Sequence, residues 1–341
     1  MRRRKPRGLL MAALACALLM AGRLSGQDCP CGDRQDGLHC PENALQPDLT
    51  ANIGERDFFD PAWRSNVAAC SGPFCGFSCR SAGVFFSAEL LWLGINQHGG
   101  ADIATRLFEL NSSSPVPPLG SLDPGLDIAP RVTIGGVTCD GLGARVRYWE
   151  FDNVVSASAT QPDIAQPNRA IHSWEARTVD VEALYSQMAN AVWDTTLSAG
   201  YRFVDYQEGA STLRDNNEQT KLATRYIGNG VTGAAEARRQ VGNHFGIVAS
   251  TRFSLLFGSQ TINPPNGAAA DIPTGSSFDT RYIVEGQLAA EYQHPICGGG
   301  YWFARGGYEL QYWNDFVAPI GQVDSGSLVF MGFFGSVGLQ R

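Results

Sequence analysis

Charged residues at alternate positions of apolar segments are the groups in this sequence best placed to do chemistry. Arg145 and Arg147 are followed along the chain by Asp180 and Glu182, and then by Arg202. Opposite charges on neighbouring strands attract, so these residues can form a salt-bridged plug in a narrow barrel. They can instead form a charged constriction that selects solutes by the sign of their charge. The remaining predicted pore-lining residues lie on later segments and are Arg252, Arg281, Glu285, Glu291, Arg305 and Glu309.

The histidines give little indication of catalysis. They lie in predicted loops, turns or strand ends, and they are His39, His98, His172, His244 and His294. The chain lacks the Gly-x-Ser-x-Gly and His-Glu-x-x-His motifs, and it has no phosphate-binding loop. The predicted inward faces hold no histidine, the residue used most often for proton transfer. We therefore expect no enzymatic activity and no cofactor, although separate strands could still assemble Ser, His and Asp.

Six of the nine cysteines lie close together near the N-terminus. An even, clustered set in an exported chain is typical of disulfide bonds. A metal site is the alternative, because His39 precedes one of these cysteines, but no second Cys-x-x-Cys pair supports structural zinc. We therefore predict disulfides and no metal. The candidates are Cys29, Cys31, Cys40, Cys70, Cys75 and Cys79.

Alternation of apolar and polar residues predicts the elements that position these groups. In the segment 142–150, Leu142, Ala144, Val146 and Tyr148 alternate with Gly143, Arg145, Arg147 and Trp149, as in a strand with one apolar face. Gly, Pro, Asn and Asp clusters separate such segments. The predicted strands are 84–95, 130–137, 142–152, 177–186, 194–204, 244–257, 280–292, 302–312 and 328–339.

An odd number of strands conflicts with a bacterial barrel, in which short turns alternate with long loops. The connections 138–141 and 187–193 are short, whereas 96–129, 153–176 and 205–243 are long. One further strand at 221–227 restores the alternation and gives about ten strands. Twelve are possible if 103–110 forms a hairpin, against which the prolines of that loop argue.

A soluble sandwich would show the same alternation, but three features favour a membrane barrel. The strands are longer than the usual five or six residues. Small residues such as Ala144, Ala199 and Ala249 interrupt the apolar face, which lipid tolerates better than a packed core does. Aromatic residues lie near strand ends on that face, as in interfacial girdles. They are Tyr148, Tyr201, Tyr292, Trp302 and Tyr312.

The N-terminus predicts export. Basic residues at positions 2–7 precede a short apolar run from Gly8 to Ala21, which is typical of a cleaved signal peptide over 1–26. A short Cys-rich, irregular periplasmic segment then covers 27–82, and the barrel covers 83–341. The formal net charge of −7 argues against nucleic acid as a partner. No later segment holds 18 apolar residues, so membrane-spanning helices are not expected.

Three motifs in order resemble those of the pore-forming outer-membrane protein family typified by the Legionella major outer membrane protein. They are Gly141-Leu142-Gly143-Ala144-Arg145-Val146-Arg147-Tyr148-Trp149, then Asp180-Val181-Glu182, then Gly200-Tyr201-Arg202. Phe86-Ser87-Ala88-Glu89-Leu90-Leu91-Trp92 also resembles the first strand of that family. The likeness covers about residues 84 to 341. The Cys-rich segment departs from the pattern, as does the end at Gln340-Arg341, where a terminal aromatic is usual.

Together these features predict an all-β, antiparallel, up-and-down transmembrane β-barrel in the outer membrane. We expect passive diffusion of small solutes through it, with the inward charges as a filter. The alternative is a non-conducting structural or adhesive barrel with contacts in the long outer loops. The expected partners are outer-membrane lipid, the barrel assembly machinery and small solutes.

Overall fold

The computed structural model describes ten segments of the chain, which together hold the barrel. The predicted signal peptide, the Cys-rich segment with its six candidate disulfide cysteines, and residues 103–110 lie outside the described residues. The described residues are 83–98, 124–138, 140–158, 169–189, 192–214, 217–242, 244–263, 275–296, 300–317 and 326–340.

Ten strands follow one another along the chain. Their bounds are β1 Gly83–His98, β2 Leu126–Val137, β3 Leu142–Ser158, β4 Arg169–Met188, β5 Trp193–Arg214, β6 Asn217–Gln240, β7 Phe245–Asn263, β8 Gly275–Pro295, β9 Tyr301–Val317 and β10 Gly326–Gln340.

Each strand pairs antiparallel with its neighbours in sequence, and β1 pairs with β10 to close the barrel. Following the register from Phe85 once around the barrel returns to β1 at Gln97, so the strands are staggered and tilt against the barrel axis. The prediction of an antiparallel barrel of about ten strands is confirmed, and the twelve-strand alternative is wrong. No helix in the described residues is long and apolar enough to cross a membrane.

Four short connections lie at one end of the barrel, which we call the turn end; the opposite end is the loop end. At the turn end, the amide of Gly141 donates to the carbonyl of Thr138 over 3.0 Å. Gly141 has a φ of 84°, which is in the region that glycine adopts most readily. The Thr138 hydroxyl also donates to the Asp140 carboxylate and so lowers the pKa of Asp140.

The strands near the loop end are much longer than the sequence predicted. Residues 153–176 and 205–243, interpreted as loops apart from 221–227, are mostly the paired loop-side ends of β3, β4 and β5 and the whole of β6. Only residues 215–216 connect β5 to β6. The prediction failed at the ends of β3 to β5 because charged and polar residues occupy many of the outward positions there. Glu150, Arg177 and Asp205 are partners across β3, β4 and β5, so apolar alternation stops there.

On the turn side of these charged residues, the outward face of the barrel is apolar, as contact with lipid requires. Val181, Val231 and Leu288 are exposed by 52, 60 and 61%. The small and aromatic residues predicted for this face also point outward, as in a barrel of the outer-membrane type. The inward face carries the buried polar residues instead. The barrel therefore has the inverse pattern of a soluble protein, apolar outside and polar inside.

Arginine at an outward position should test this orientation. We expect Leu288→Arg, near the middle of the apolar band, to lower the free energy of unfolding by about 2–4 kcal/mol, because lipid cannot solvate the guanidinium. Thr280→Arg, on the same face of β8 but nearer the loop end, is the matched control. It should lower the free energy of unfolding by only about 0–1 kcal/mol. Urea unfolding in lipid vesicles measures both, and equal losses would contradict the assignment.

Candidate functional site

Every residue predicted to line the pore points into the barrel. Asp180, Arg202 and Glu309 are completely buried. Arg305, the most accessible of these side chains, is 22% exposed. The sequence therefore placed these side chains on the correct face, whereas their role in lining an open pore stays a prediction.

A central ion-pair network links β3, β4, β5 and β8. Arg147, Asp180 and Arg202 are register partners on three neighbouring strands. Arg202 donates from Nε to Asp180 Oδ1 over 2.6 Å, and Arg147 donates from Nε to Asp180 Oδ2 over 3.0 Å. Glu285 accepts from the other ends of both guanidiniums, at 2.6 Å from Arg147 Nη2 and 2.5 Å from Arg202 Nη1. The network therefore bridges the lumen from β3 to β8.

The flanking residues extend this network toward the turn end. Arg145 donates from Nε to Glu182 over 2.5 Å and from Nη2 to Ser198 over 3.0 Å. Arg252 also pairs with Glu182, and it lies 3.4 Å from Asp180. Asp180, Glu182 and Glu285 thus each face more than one guanidinium, which compensates their loss of hydration.

Arg131 and Glu89 line the lumen and were not predicted from the sequence. Arg131 donates to Glu89 over 3.0 Å and forms a two-point ion pair with Glu309. Arg131 and Glu89 are register partners on β2 and β1. The alternation of Ala129, Arg131 and Thr133 with outward residues was the signal that could have identified Arg131.

Arg281 is separate from these networks. It lies nearer the loop end, donates to Gln260 over 2.7 Å, and stacks on the ring of Tyr226 at 4.3 Å. Its Nε and Nη1, like the Tyr226 hydroxyl, have no hydrogen-bond partner among the residues that the structure describes. Arg281 also lies 3.3 Å from Asp279. The predicted set therefore divides into the central network, Glu309 with Arg131, Glu291 with Arg305, and Arg281.

A layer of aromatic side chains fills the lumen on the loop side of the ion pairs. Trp149 contacts Trp313 and Phe330 with ring centroids at 5.6 and 5.8 Å. A β-bulge in β9 turns Phe316 inward against Trp313 at 4.8 Å. Asp315 within this bulge has a φ of 60°, a left-handed conformation that is uncommon for a residue other than glycine. We call Trp149, Trp313, Phe316 and Phe330 the aromatic layer.

The half of the lumen near the turn end contains a cavity of about 160 Å³. Its walls include Arg145, Glu236, Arg238 and Arg305, and it reaches Gln340 in the last residues of β10. None of its lining residues belongs to the aromatic layer. The described lumen is therefore filled on the loop side and hollow on the turn side.

His172 corrects the expectation that no histidine faces inward. It lies on β4 with 1% of its surface exposed, and its Nε2 is 2.8 Å from Glu208 Oε1. Gln97 and Tyr206 also donate to Glu208, over 2.9 and 3.3 Å. The His172 ring packs on Trp174 at 3.7 Å. The error arose because β4 was predicted to begin at residue 177, beyond this pair.

Metal binding has no support in the part of the chain that the structure describes. No group of three or more His, Cys, Asp or Glu residues there could hold a metal ion. The cysteines that offered a metal alternative lie outside that part.

No family model matches the chain, and no curated protein matches it. Among solved structures, it is similar to the Escherichia coli outer membrane protease OmpT, with 9% identity, a TM-score of 0.44, and coverage of 76% of this chain and 96% of that one. It is also similar to a Pseudomonas aeruginosa FadL homologue, with 10% identity, a TM-score of 0.29, and coverage of 80% of this chain and 93% of that one. The Ralstonia pickettii toluene transporter TbuX is similar with 9% identity, a TM-score of 0.32, and coverage of 77% of this chain and 89% of that one. These similarities concern the barrel fold and carry no activity to this chain.

The expectation of no enzymatic activity is wrong as an inference from the sequence. It relied on inward faces without histidine, and His172 with Glu208 contradicts that premise. One of the similar barrels is named a protease, and at 9% identity the likeness concerns the fold alone.

Removing one partner of the buried network should be far more damaging than breaking an exposed pair. We expect Asp180→Ala to lower the free energy of unfolding by about 3–5 kcal/mol, because Arg147 and Arg202 lose a shared counter-charge. Asp205→Ala, which breaks the exposed pair with Arg225, should cost under about 1 kcal/mol. Urea unfolding in vesicles compares the two, and a small loss for Asp180→Ala would refute the network.

Proposed function

We propose that this chain is an outer-membrane barrel that does not conduct solutes in the conformation described and makes its contacts at the loop end. The observation that carries this proposal is the filled lumen. Ion pairs from several strands cross it, and the aromatic layer covers them. A ten-stranded barrel leaves little free width, so these side chains suffice to block diffusion.

The loop end supports the second part of the proposal. β3 to β6 continue past the apolar band, and their outward faces carry Glu150, Arg177, Asp205 and Arg225. Arg225 is 49% exposed. A charged wall of this kind stands in water beyond the lipid and can contact other molecules.

Location in the outer membrane rests on the apolar outward band and on the predicted signal peptide. Fractionation of cells that express the chain tests it. Recovery with the outer membrane supports the proposal, and recovery as a soluble protein with native fold contradicts it.

Passive diffusion is the second candidate, and a specific observation favours it. The barrier consists of side chains on the barrel wall, and a cavity already occupies the turn side. Movement of the aromatic layer together with the ion pairs that cross the lumen would join that cavity to the loop end. The motif resemblance to a pore-forming family also supports this candidate.

Conductance in planar bilayers separates the two candidates. We expect the parent chain to be silent and Trp149→Ala/Trp313→Ala/Phe330→Ala/Glu285→Ala to give stepwise conductance, because these substitutions remove most of the aromatic layer and the carboxylate that bridges Arg147 and Arg202 across the lumen. Phe253→Ala/Tyr282→Ala, which removes a pair of outward aromatic residues, is the control and should stay silent. Stepwise conductance of the correctly folded parent would contradict the closed barrel and support the pore.

A further inference from the structure

Two arginines on opposite sides of one carboxylate point their free ends into the turn-side cavity. Glu291 accepts from Nε of Arg305 over 2.6 Å, and its other oxygen accepts from Nε of Arg238. Glu291 is itself 1% exposed. It therefore neutralises the inner edges of both guanidiniums and fixes their orientation.

The outer edges of these guanidiniums remain available. Neither Nη of Arg238 nor Nη2 of Arg305 donates a hydrogen bond within the described residues, whereas Nη1 of Arg305 lies 3.3 Å from Glu236. The Arg238 and Arg305 side chains are 18 and 22% exposed, and both line the cavity. Several N–H donors thus face the same water-accessible space.

The size and access of the cavity limit what it can hold. Its volume of about 160 Å³ exceeds the space of a single water molecule but is smaller than a typical pocket for a drug-sized ligand. Since the aromatic layer closes the loop side, a ligand must enter from the turn end. Paired guanidinium edges match carboxylate and phosphate oxygens in charge and geometry.

We propose that Arg238 and Arg305, held by Glu291, form a binding site for the carboxylate or phosphate group of a small solute that enters from the turn end. Glu291 is a positioning residue in this site. The inference goes beyond the proposed function and does not depend on whether the barrel conducts.

Titration calorimetry on the full chain in detergent tests the site, with inorganic phosphate and acetate as probes at constant ionic strength. We expect saturable binding of at least one anion and none of tetramethylammonium. Arg238→Gln and Arg305→Gln should each weaken binding about tenfold or more, since each removes a charge-assisted contact. Arg225→Gln, on the outer wall, is the matched control and should bind as the parent does.

A second variant keeps the test decisive if an arginine variant fails to fold. Ala234→Phe fills the cavity without changing a charge, and it should abolish binding. The proposal is overturned if neither anion binds saturably to the folded parent, or if Ala234→Phe binds as tightly as the parent. Because no membrane or voltage is involved, the outcome is separate from that of the conductance experiment.

Discussion

The mutual neutralisation of charges inside a narrow barrel is the constraint on which the rest of this structure depends. Asp180, Arg202 and Glu309 have no contact with water, so each must find its counter-charge on another strand. The register supplies those partners directly, since Arg147, Asp180 and Arg202 lie opposite one another. Closure of the sheet and pairing of the charges therefore specify the same arrangement, because a shift of one residue would turn these side chains into lipid.

The aromatic layer strengthens the ion pairs from the loop side of the lumen only. Trp149 and Trp313 exclude water from the ion pairs beside them, which strengthens those interactions because the local dielectric constant is low. On the turn side, Arg305 and Glu236 keep contact with water. The same lumen thus contains a dry region, where charges hold strands together, and a wet region, where charges can meet a solute.

Alternation in the sequence identified most strands and inward charges within the apolar band, because lipid makes one face of each strand apolar there, although Arg131 and Glu89 were missed. It failed near the loop end, where water replaces lipid and Glu150 or Arg177 can occupy the outward face. His172 was missed for this reason. Arg238 was missed because glycine and alanine interrupt the alternation in β6. Phe316 points inward because of a β-bulge in β9. A bulge is a shift in the register between two paired strands, and the local sequence of one strand does not predict it.

The distribution of water in the lumen bears on what the inward charges can do. A charged group selects ions only where it meets hydrated solutes, and the guanidinium of Arg202 meets none in this conformation. This guanidinium is paired with Asp180 and Glu285, so moving the Arg202 side chain would require breaking both contacts at once. Arg238 and Arg305 differ because they share Glu291 and keep Nη donors without a hydrogen bond among the described residues, while Nη1 of Arg305 lies 3.3 Å from Glu236. The charged groups of the described lumen that can meet a solute therefore lie on the turn side of the ion-pair network.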